Sequence, residues 1–262
     1  MTESALDRVR IILVEPAGAL NVGSIARIMK NMGLSHLVLV NPQCDPGSAE
    51  ARQMAVHADD VLEAAQITKT LPDALRGCHR AIATTVRTRA IATALEHPKD
   101  ALPWLLENFQ ADGQTALIFG AEERGLSNQE LNYAQRFVYI PSSPVYPSLN
   151  LAQAVAICCY ELSQALDDQR SEIRSFESDT HTLEPAPLDE IEAYCQHLER
   201  LLLKVGYLHP HTANSRMEKF RRLLNRAYPS VAEIALLRGV LRQGEWALNA
   251  QNQPPGSDSK PP

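Results

Sequence analysis

The 262-residue sequence predicts an α/β protein in which a largely parallel sheet carries helices on both faces, with a smaller helical extension behind it. Two observations predict this, and a third narrows it. Short apolar runs alternate with helical stretches over the first two thirds of the chain, the order expected of strands joined by helical crossovers. The length exceeds that of the commonest single domain, so one sizeable α/β unit plus an appendage is the expected partition. No Gly-x-Gly-x-x-Gly follows the first apolar run, which removes the main support for a dinucleotide-binding version of such a sheet.

Strands are expected at Val9 to Val14, His36 to Val40, His79 to Thr84, Gln114 to Gly120 and Arg136 to Ile140. After the first, Asn21-Val22-Gly23-Ser24-Ile25-Ala26-Arg27 opens a helix that ends at Gly33, with polar residues at its entrance. After the fourth, Gly120-Ala121-Glu122-Glu123-Arg124-Gly125-Leu126 sets acids between glycines. Beyond the fifth, Pro141, Pro144 and Pro147 each fix their own φ and push the preceding residue toward extended conformations, so this loop is stiff without being helical. Leu151, Ala154, Val155, Cys158, Leu162, Ala165 and Leu166 then repeat at helical spacing. Ser148 or Asn150 can supply the acceptor that starts this helix, leaving nearby N–H groups turned toward whatever fills the loop.

The expected partition is an α/β domain over residues 1–166, an acidic linker over 167–187, a helical extension over 188–249 and a disordered tail over 250–262. Polar and acidic residues with Pro185 and Pro187 mark the linker. Helices are expected at Leu188 to Val205, Ala213 to Ala227 and Ser230 to Arg242, with Ser230 and Glu233 at capping-box spacing. The last residues, Gln-Asn-Gln-Pro-Pro-Gly-Ser-Asp-Ser-Lys-Pro-Pro, hold no apolar side chain that could anchor them.

A hydrophobic content of 45% and a charged content of 21% suit a soluble protein. The start, Met-Thr-Glu-Ser-Ala-Leu-Asp-Arg, lacks a basic stretch followed by an apolar one, and nothing later is long and apolar enough for a bilayer, so a cytoplasmic, membrane-free protein is expected. Five cysteines without a Cys-x-x-Cys give neither a disulfide framework nor a zinc site, and Cys158-Cys159 reads as small apolar packing. His209 and His211 stand close together, but no metal is implied. The net charge of −6 argues weakly against nucleic acid until its distribution is seen. Ten acids lie between Glu161 and Glu192 against Arg170 and Arg174, whereas residues 212–242 carry seven Lys or Arg against Glu218 and Glu233. The extension is a basic module on an acidic hinge.

Asn21-x-Gly23-x-x-x-Arg27, then Gly120-x-Glu122-x-x-Gly125-Leu126, then Ile140-Pro141 followed by Ser148-Leu149-Asn150-Leu151-Ala152, resemble in this order the three motifs of the SpoU branch of the SPOUT methyltransferases. The match covers roughly residues 8–166. Ala83-Thr84-Thr85-Val86-Arg87 and the helical extension further resemble the TrmJ-type tRNA ribose 2′-O-methyltransferases, which act on nucleotide 32 of the anticodon loop. Ala83 and Val86 depart from the Gly-Thr-Ser-Ala-Arg of that group.

The resemblance implies a C-terminal trefoil knot, a rare exception to unknotted chains, and a homodimer. In such a dimer Met29, Met32 and the apolar face of the last domain helix are open to reading as interface or as core. It also implies S-adenosyl-L-methionine bent in the knot and held mostly by backbone groups at Thr84, Thr85, Val86, Gly120, Ile140, Pro147, Ser148 and Leu149. At Gly120 a Cβ would intrude on that ligand.

Arg27 is the expected catalytic residue. A guanidinium resists deprotonation, so clamping a phosphate and stabilising the developing alkoxide stands beside the family's general-base role, the proton leaving through water or phosphate. Glu122 is expected to orient Arg27 or to bind on the cofactor side, and Glu123 to be surface. Asn21 and Asn150 can hold a ribose or fix the arginine, and Ser148 can contact the ribose or cap the helix. Arg216, Lys219, Arg221, Arg222 and Arg226 are the expected tRNA-backbone contacts. The alternatives are a ribosomal RNA substrate, another tRNA position, or a catalytically silent knotted RNA-binding protein.

Overall fold

The computed structural model describes residues 4–86, 94–107, 113–172 and 185–251. Six strands, β1 (Val9–Val14), β2 (His36–Val40), β3 (Gln66–Thr68), β4 (Cys78–Thr84), β5 (Gln114–Phe119) and β6 (Arg136–Val138), form one sheet in the order β3-β2-β1-β5-β4-β6. Every pairing in it is parallel. β1 and β2 have the expected bounds, β4 starts one residue earlier, and β5 and β6 stop short of Gly120 and Ile140. β3 escapes sequence reading because it is a three-residue edge strand with two exposed positions, too short and polar to show a period.

Successive strand residues face opposite sides, and here both sides are covered. Ile11, Leu13, Leu37, Leu39, Ile82, Leu117 and Phe119 join one core cluster. Their alternates Ile12, Val14, Val38, Val40, Ala81, Ala116 and Ile118 are buried as well. That is why the strands read as near-continuous apolar runs.

Helix α1 (Ala19–Asn31) buries Val22, Gly23, Ile25, Ala26 and Met29 and ends before Gly33, whose φ is +76°. It meets α2 (Ala49–Ala55) so closely that a Cβ on Gly23 would lie 2.0 Å from the Ala51 carbonyl oxygen. The motif glycine is therefore a helix-crossing residue. α3 (Asp59–Glu63) and α4 (Leu71–Ala74) follow, the latter entered through the Thr70 hydroxyl, which accepts from Asp73 N. Short proline-led helices α5 (Pro98–Ala101) and α6 (Pro103–Leu106) and the capping-box helix α7 (Asn128–Leu131) complete the loops. α8 (Leu151–Glu172) packs on α1, α5 and α6. Its expected apolar face is buried at Leu151, Val155, Cys158, Leu162 and Ala165.

Met29 is wholly buried and Met32, partly buried, packs against the same core, as the core reading expects. The large apolar side chains that α1 and α8 do expose are Leu20, Ile157 and Tyr160.

The chain divides into two compact units, residues 1–182 and 183–262. α8 runs six residues past the expected boundary at 166, because no Gly or Pro interrupts Leu151–Glu172. In the second unit, α9 (Leu188–Lys204) packs against both α10 (Pro210–Ala227) and α11 (Val231–Gln251). Ile191, Cys195, Leu198, Met217, Ile234 and Leu241 are buried there. α10 starts three residues early because Pro210 occupies the first helical position, where its missing N–H costs nothing.

The expected capping box starts α11: Ser230 N donates to Glu233 Oε2 at 2.7 Å and Glu233 N to Ser230 Oγ at 3.3 Å. The end of the expected linker belongs to this unit, since Ala186 N donates to the Pro229 carbonyl at 2.8 Å. α11 continues nine residues beyond Arg242, and the remaining expected tail, residues 252–262, lies outside the described residues, as do linker residues 173–184.

Gly23→Ala should destabilise the first unit by about 1–3 kcal/mol through overpacking against the α2 backbone, read as a lower urea midpoint with an unchanged slope; an unshifted midpoint would contradict the tight crossing.

Candidate active site at the carboxyl edge of the sheet

Parallel strands deliver all their exits to one edge, and in open α/β sheets ligands bind there, beside the point where strand order reverses. β1 is that point, with β2 on one side and β5 on the other. The segments following β1, β4, β5 and β6 carry the sequence motifs, so parallel pairing alone brings residues about a hundred positions apart to one place.

A cavity of about 210 Å³ opens among the exits of β4, β5 and β6. Thr84, Thr85, Val86, Gly120, Ile140, Ser148 and Leu149 line it. Pro147 does not; it is exposed, and its carbonyl accepts from Ser142 Oγ at 2.8 Å. Arg87, the last residue of its segment, lies outside the described residues. The Thr84 hydroxyl donates to the Ile118 carbonyl at 3.1 Å, which ties β4 to β5.

At Gly120 the chain itself is a close neighbour. A Cβ there would lie 2.2 Å from the Gly125 carbonyl carbon and 2.3 Å from Leu126 N. The glycine lets its own loop double back where it lines the cavity.

The three motifs are joined by one hydrogen-bond chain. Glu122 Oε2 accepts from Ala17 N at 3.0 Å, and Oε1 accepts from Gly18 N at 3.2 Å and Asn21 Nδ2 at 3.0 Å. Asn21 Oδ1 in turn accepts from Asn150 Nδ2 at 3.0 Å. Asn150 Oδ1 accepts from Ala152 N at 2.8 Å and Gln153 N at 3.3 Å, which makes Asn150 rather than Ser148 the cap of α8. Burial works against the charged form of Glu122, but bonds from Ala17, Asn21 and Gly18 outweigh it and hold the carboxyl below its ordinary 4.5.

Glu122 thus fixes the entrance of α1 and Asn21; among the described residues it makes no bond to Arg27. Arg27 itself is exposed, on the stripe of α1 that holds Leu20, and has no hydrogen bond or ion pair among the described residues. It does not line the cavity of its own subunit. Glu123 is exposed, as expected.

Sequence reading passed over Arg124. It lines the cavity and is bonded to Glu15 and Glu130; the signal was a cation within an acidic, glycine-bracketed loop. Burial pushes the Cys159 and Cys195 thiols up to about 12 and raises that of Cys158 well above its ordinary value, while burial and then Glu122 and Asp45 raise Cys44. Among the described residues no cluster of His, Cys, Asp or Glu could hold a metal, and no helix is long and apolar enough to cross a membrane.

Residues 8–160 match the model of the SpoU rRNA methylase family, and residues 189–254 match the C-terminal domain of tRNA methyltransferase TrmJ. The chain belongs to the SpoU methylase family. Its curated relatives include the tRNA (cytidine/uridine/adenosine-2′-O-)-methyltransferase TrmJ of Pseudomonas aeruginosa, 42% identical over 91% of this chain and 94% of that protein. Another is the tRNA (cytidine/uridine-2′-O-)-methyltransferase TrmJ of Pectobacterium atrosepticum, 40% identical over 90% of this chain and 96% of that protein. The crystal structure of TrmJ from Z. mobilis ZM4 superposes with a TM-score of 0.78 at 34% identity, covering 90% of this chain and 98% of that one.

In the helical unit of this SpoU methylase, Lys219, Arg222 and Arg226 are exposed at helical spacing along α10. Arg216 is exposed too, its guanidinium 5.3 Å from the Tyr207 ring centre and donating to the Tyr207 carbonyl. Arg221 departs from the expected RNA contacts. Its Nε and Nη2 donate to the Glu192 carboxylate at 2.8 and 2.9 Å, and the side chain is only 14% exposed. It is a strut between α9 and α10, because the roughly 100° step between adjacent helical residues turns it inward while its neighbour Arg222 is exposed.

A folded pKa below the ordinary value adds stability that is complete above pH 4.5 and lost as pH falls through the folded value. The melting temperature of the wild type should therefore fall more steeply below about pH 4.5 than that of Glu122→Gln; parallel curves would remove Glu122 from the acid-sensitive groups.

Proposed function

We propose that this chain transfers the methyl group of S-adenosylmethionine to the ribose 2′-hydroxyl of a tRNA, at cytidine or uridine 32 of the anticodon loop, acting as a cytoplasmic homodimer. The observation that carries the reading is the Glu122–Asn21–Asn150 chain beside the cavity, since it fixes three motif segments against one another where a ligand fits. The match of residues 189–254 to a tRNA-enzyme domain favours tRNA over ribosomal RNA. Cytidine and uridine are common to the names of both curated relatives, and adenosine stands in one.

The cavity suits the methyl donor by its chemistry. Phe119, Leu126, Val138, Ile140 and Leu149 provide apolar walls for a flat base, the loop backbones provide donors and acceptors, and the ionised Glu122 sits at a wall facing a cation. When bound, S-adenosylmethionine supplies an electrophilic methyl on a positively charged sulfur. Thr84–Val86 and Ser148–Leu149, which line the cavity, would hold it in the trefoil knot that family membership implies.

The chain's own residues then have three tasks. Asn21 and Asn150, each held by the other, present a rigid polar edge to the ribose, and orientation of this kind lowers the barrier without acid or base. Asn21 also lines a second groove with Gly18, Leu20, Cys44 and Asp45, which gives the nucleotide a way in. Arg27, on the exposed stripe of α1 and without a partner among the described residues, grips the neighbouring phosphate and stabilises the alkoxide as the hydroxyl proton leaves to water or phosphate. Exposed Leu20, Ile157 and Tyr160 give α1 and α8 an apolar surface for a second copy, which would bring Arg27 to the partner's pocket.

The experiment is transfer of labelled methyl from S-adenosylmethionine to tRNA transcripts with and without a 2′-deoxy residue at position 32. Arg27→Ala should lower the rate by at least about 100-fold while calorimetric affinity for S-adenosylmethionine stays within twofold; retained activity removes Arg27 from the reaction. Lys219→Ala with Arg226→Ala should weaken tRNA binding and flatten its salt dependence by roughly one to two logarithmic units of slope. Undiminished binding would take α10 out of the RNA path.

A further inference from the structure

The 120–126 loop forms one wall of the cavity, and the Glu122 contacts hold it to the entrance of α1 from the acidic side. A second contact holds it from the basic side. Arg124 Nη2 donates to Glu15 Oε2 at 2.6 Å, with Nε at 3.2 Å from the same oxygen. Its Nη1 donates to Glu130 Oε2 at 2.8 Å and to the Gly125 carbonyl at 3.0 Å, and Nη2 reaches Glu130 Oε1 at 2.8 Å. Every nitrogen of the guanidinium is thus donating within the protein, which leaves it poorly placed to take a phosphate.

The partners on both sides are themselves fixed. Glu130 N donates to Ser127 Oγ and Ser127 N to Glu130 Oε2 at 2.6 Å, the reciprocal cap of α7. Burial would raise the Glu130 carboxyl, but Arg124 and Ser127 hold it low. Glu15 closes β1 with a φ of +50°, a left-handed conformation that a non-glycine residue adopts only where surrounding contacts enforce it. Its N–H donates to the Val40 carbonyl at 2.8 Å, and its Oε1 accepts from Asn41 Nδ2 at 3.3 Å, Asn41 being left-handed too at +45°. Glu15 is followed by the very residues whose N–H groups bind Glu122.

We infer that Arg124 is a positioning residue for the methyl-donor pocket: by bridging Glu15 and Glu130 it clamps the 120–126 loop to the end of β1, so that loop and α1 entrance are zipped by two opposite charges, Glu122 and Arg124. This rests on the proposed function in taking S-adenosylmethionine as the ligand. Removing the clamp leaves two carboxylates without their cation and lets the pocket wall tilt, which weakens ligand binding while the reacting groups stay intact.

The test is steady-state kinetics of full-length wild type, Arg124→Ala, Arg124→Met, Arg124→Lys, Glu15→Ala and the Arg124→Ala/Glu15→Ala double variant, with calorimetry for S-adenosylmethionine and melting curves to confirm folding. The expected result is a KM for S-adenosylmethionine raised about tenfold in Arg124→Ala and Arg124→Met, with kcat at saturating donor and KM for tRNA within twofold. Lysine should rescue in part, since it cannot fork between two carboxylates, and the double variant should be no worse than Arg124→Ala. Glu15→Ala, which keeps the Glu130 pair, should move the donor KM in the same direction, and it carries the test where the arginine variants fold poorly. An unchanged donor KM across Arg124→Met and Glu15→Ala overturns the inference, as does a loss confined to tRNA binding. A wild type that binds no S-adenosylmethionine overturns the proposed function as well, so the two failures are told apart.

Discussion

The arrangement depends on one carboxylate accepting three hydrogen bonds. Glu122 receives the N–H groups of Ala17 and Gly18 and the amide of Asn21, and so does for α1 what no side chain of its own N-cap does, since Gly18 cannot cap. The first turn of a helix leaves N–H groups unsatisfied and carries partial positive charge, so a carboxylate arriving from another loop stabilises it and is stabilised in its charged form. Asn21, held on one side by that carboxylate, can hold Asn150 on the other. Fixing one carboxylate fixes three loops.

That interaction is available only because the sheet is parallel. Strands running the same way release their following loops at one edge, and the reversal of order at β1 opens a crevice there. The close crossing at Gly23 and the doubled-back turn at Gly120 let backbone meet backbone around that crevice. The glycines of both motifs thus serve packing first. The polar residues between them do the rest: Glu122 and Arg124 draw the second loop onto the first from opposite charges, while Arg27 remains without a partner among the described residues. Beside the engaged Arg124, an arginine without a partner among the described residues, on an exposed helix stripe, is suited to a ligand that arrives from outside.

Much of this was legible in the residues. Buried strands such as Ile11 to Val14 announce themselves as unbroken apolar runs, α8 by its 3.6-residue repeat, and the cap of α11 by Ser230 and Glu233 three apart. The wall residues Thr84, Thr85, Val86, Gly120, Ile140, Ser148 and Leu149 followed from motif resemblance. β3 was not legible, because an exposed three-residue edge strand takes its conformation from the pairing of Gln66 with Val38 and not from its own sequence. Nor was the split between Arg221 and Arg222. Adjacent residues on a helix face about 100° apart, and which of them meets Glu192 depends on how α9 packs.

The sequence by itself determined the alternation of strands and helices, the burial of both sheet faces, the charge contrast between the acidic hinge and the basic helices, and the residue types at the site, because these follow from local periodicity and composition. Tertiary structure alone decided what those residues do to one another. Glu122 meets Asn21 rather than Arg27, Gly120 yields to its own chain, and Arg124 becomes a bridge between Glu15 and Glu130. The reason is physical: hydrogen bonds and ion pairs act over about 3 Å, and only folding brings side chains so far apart in sequence to that distance.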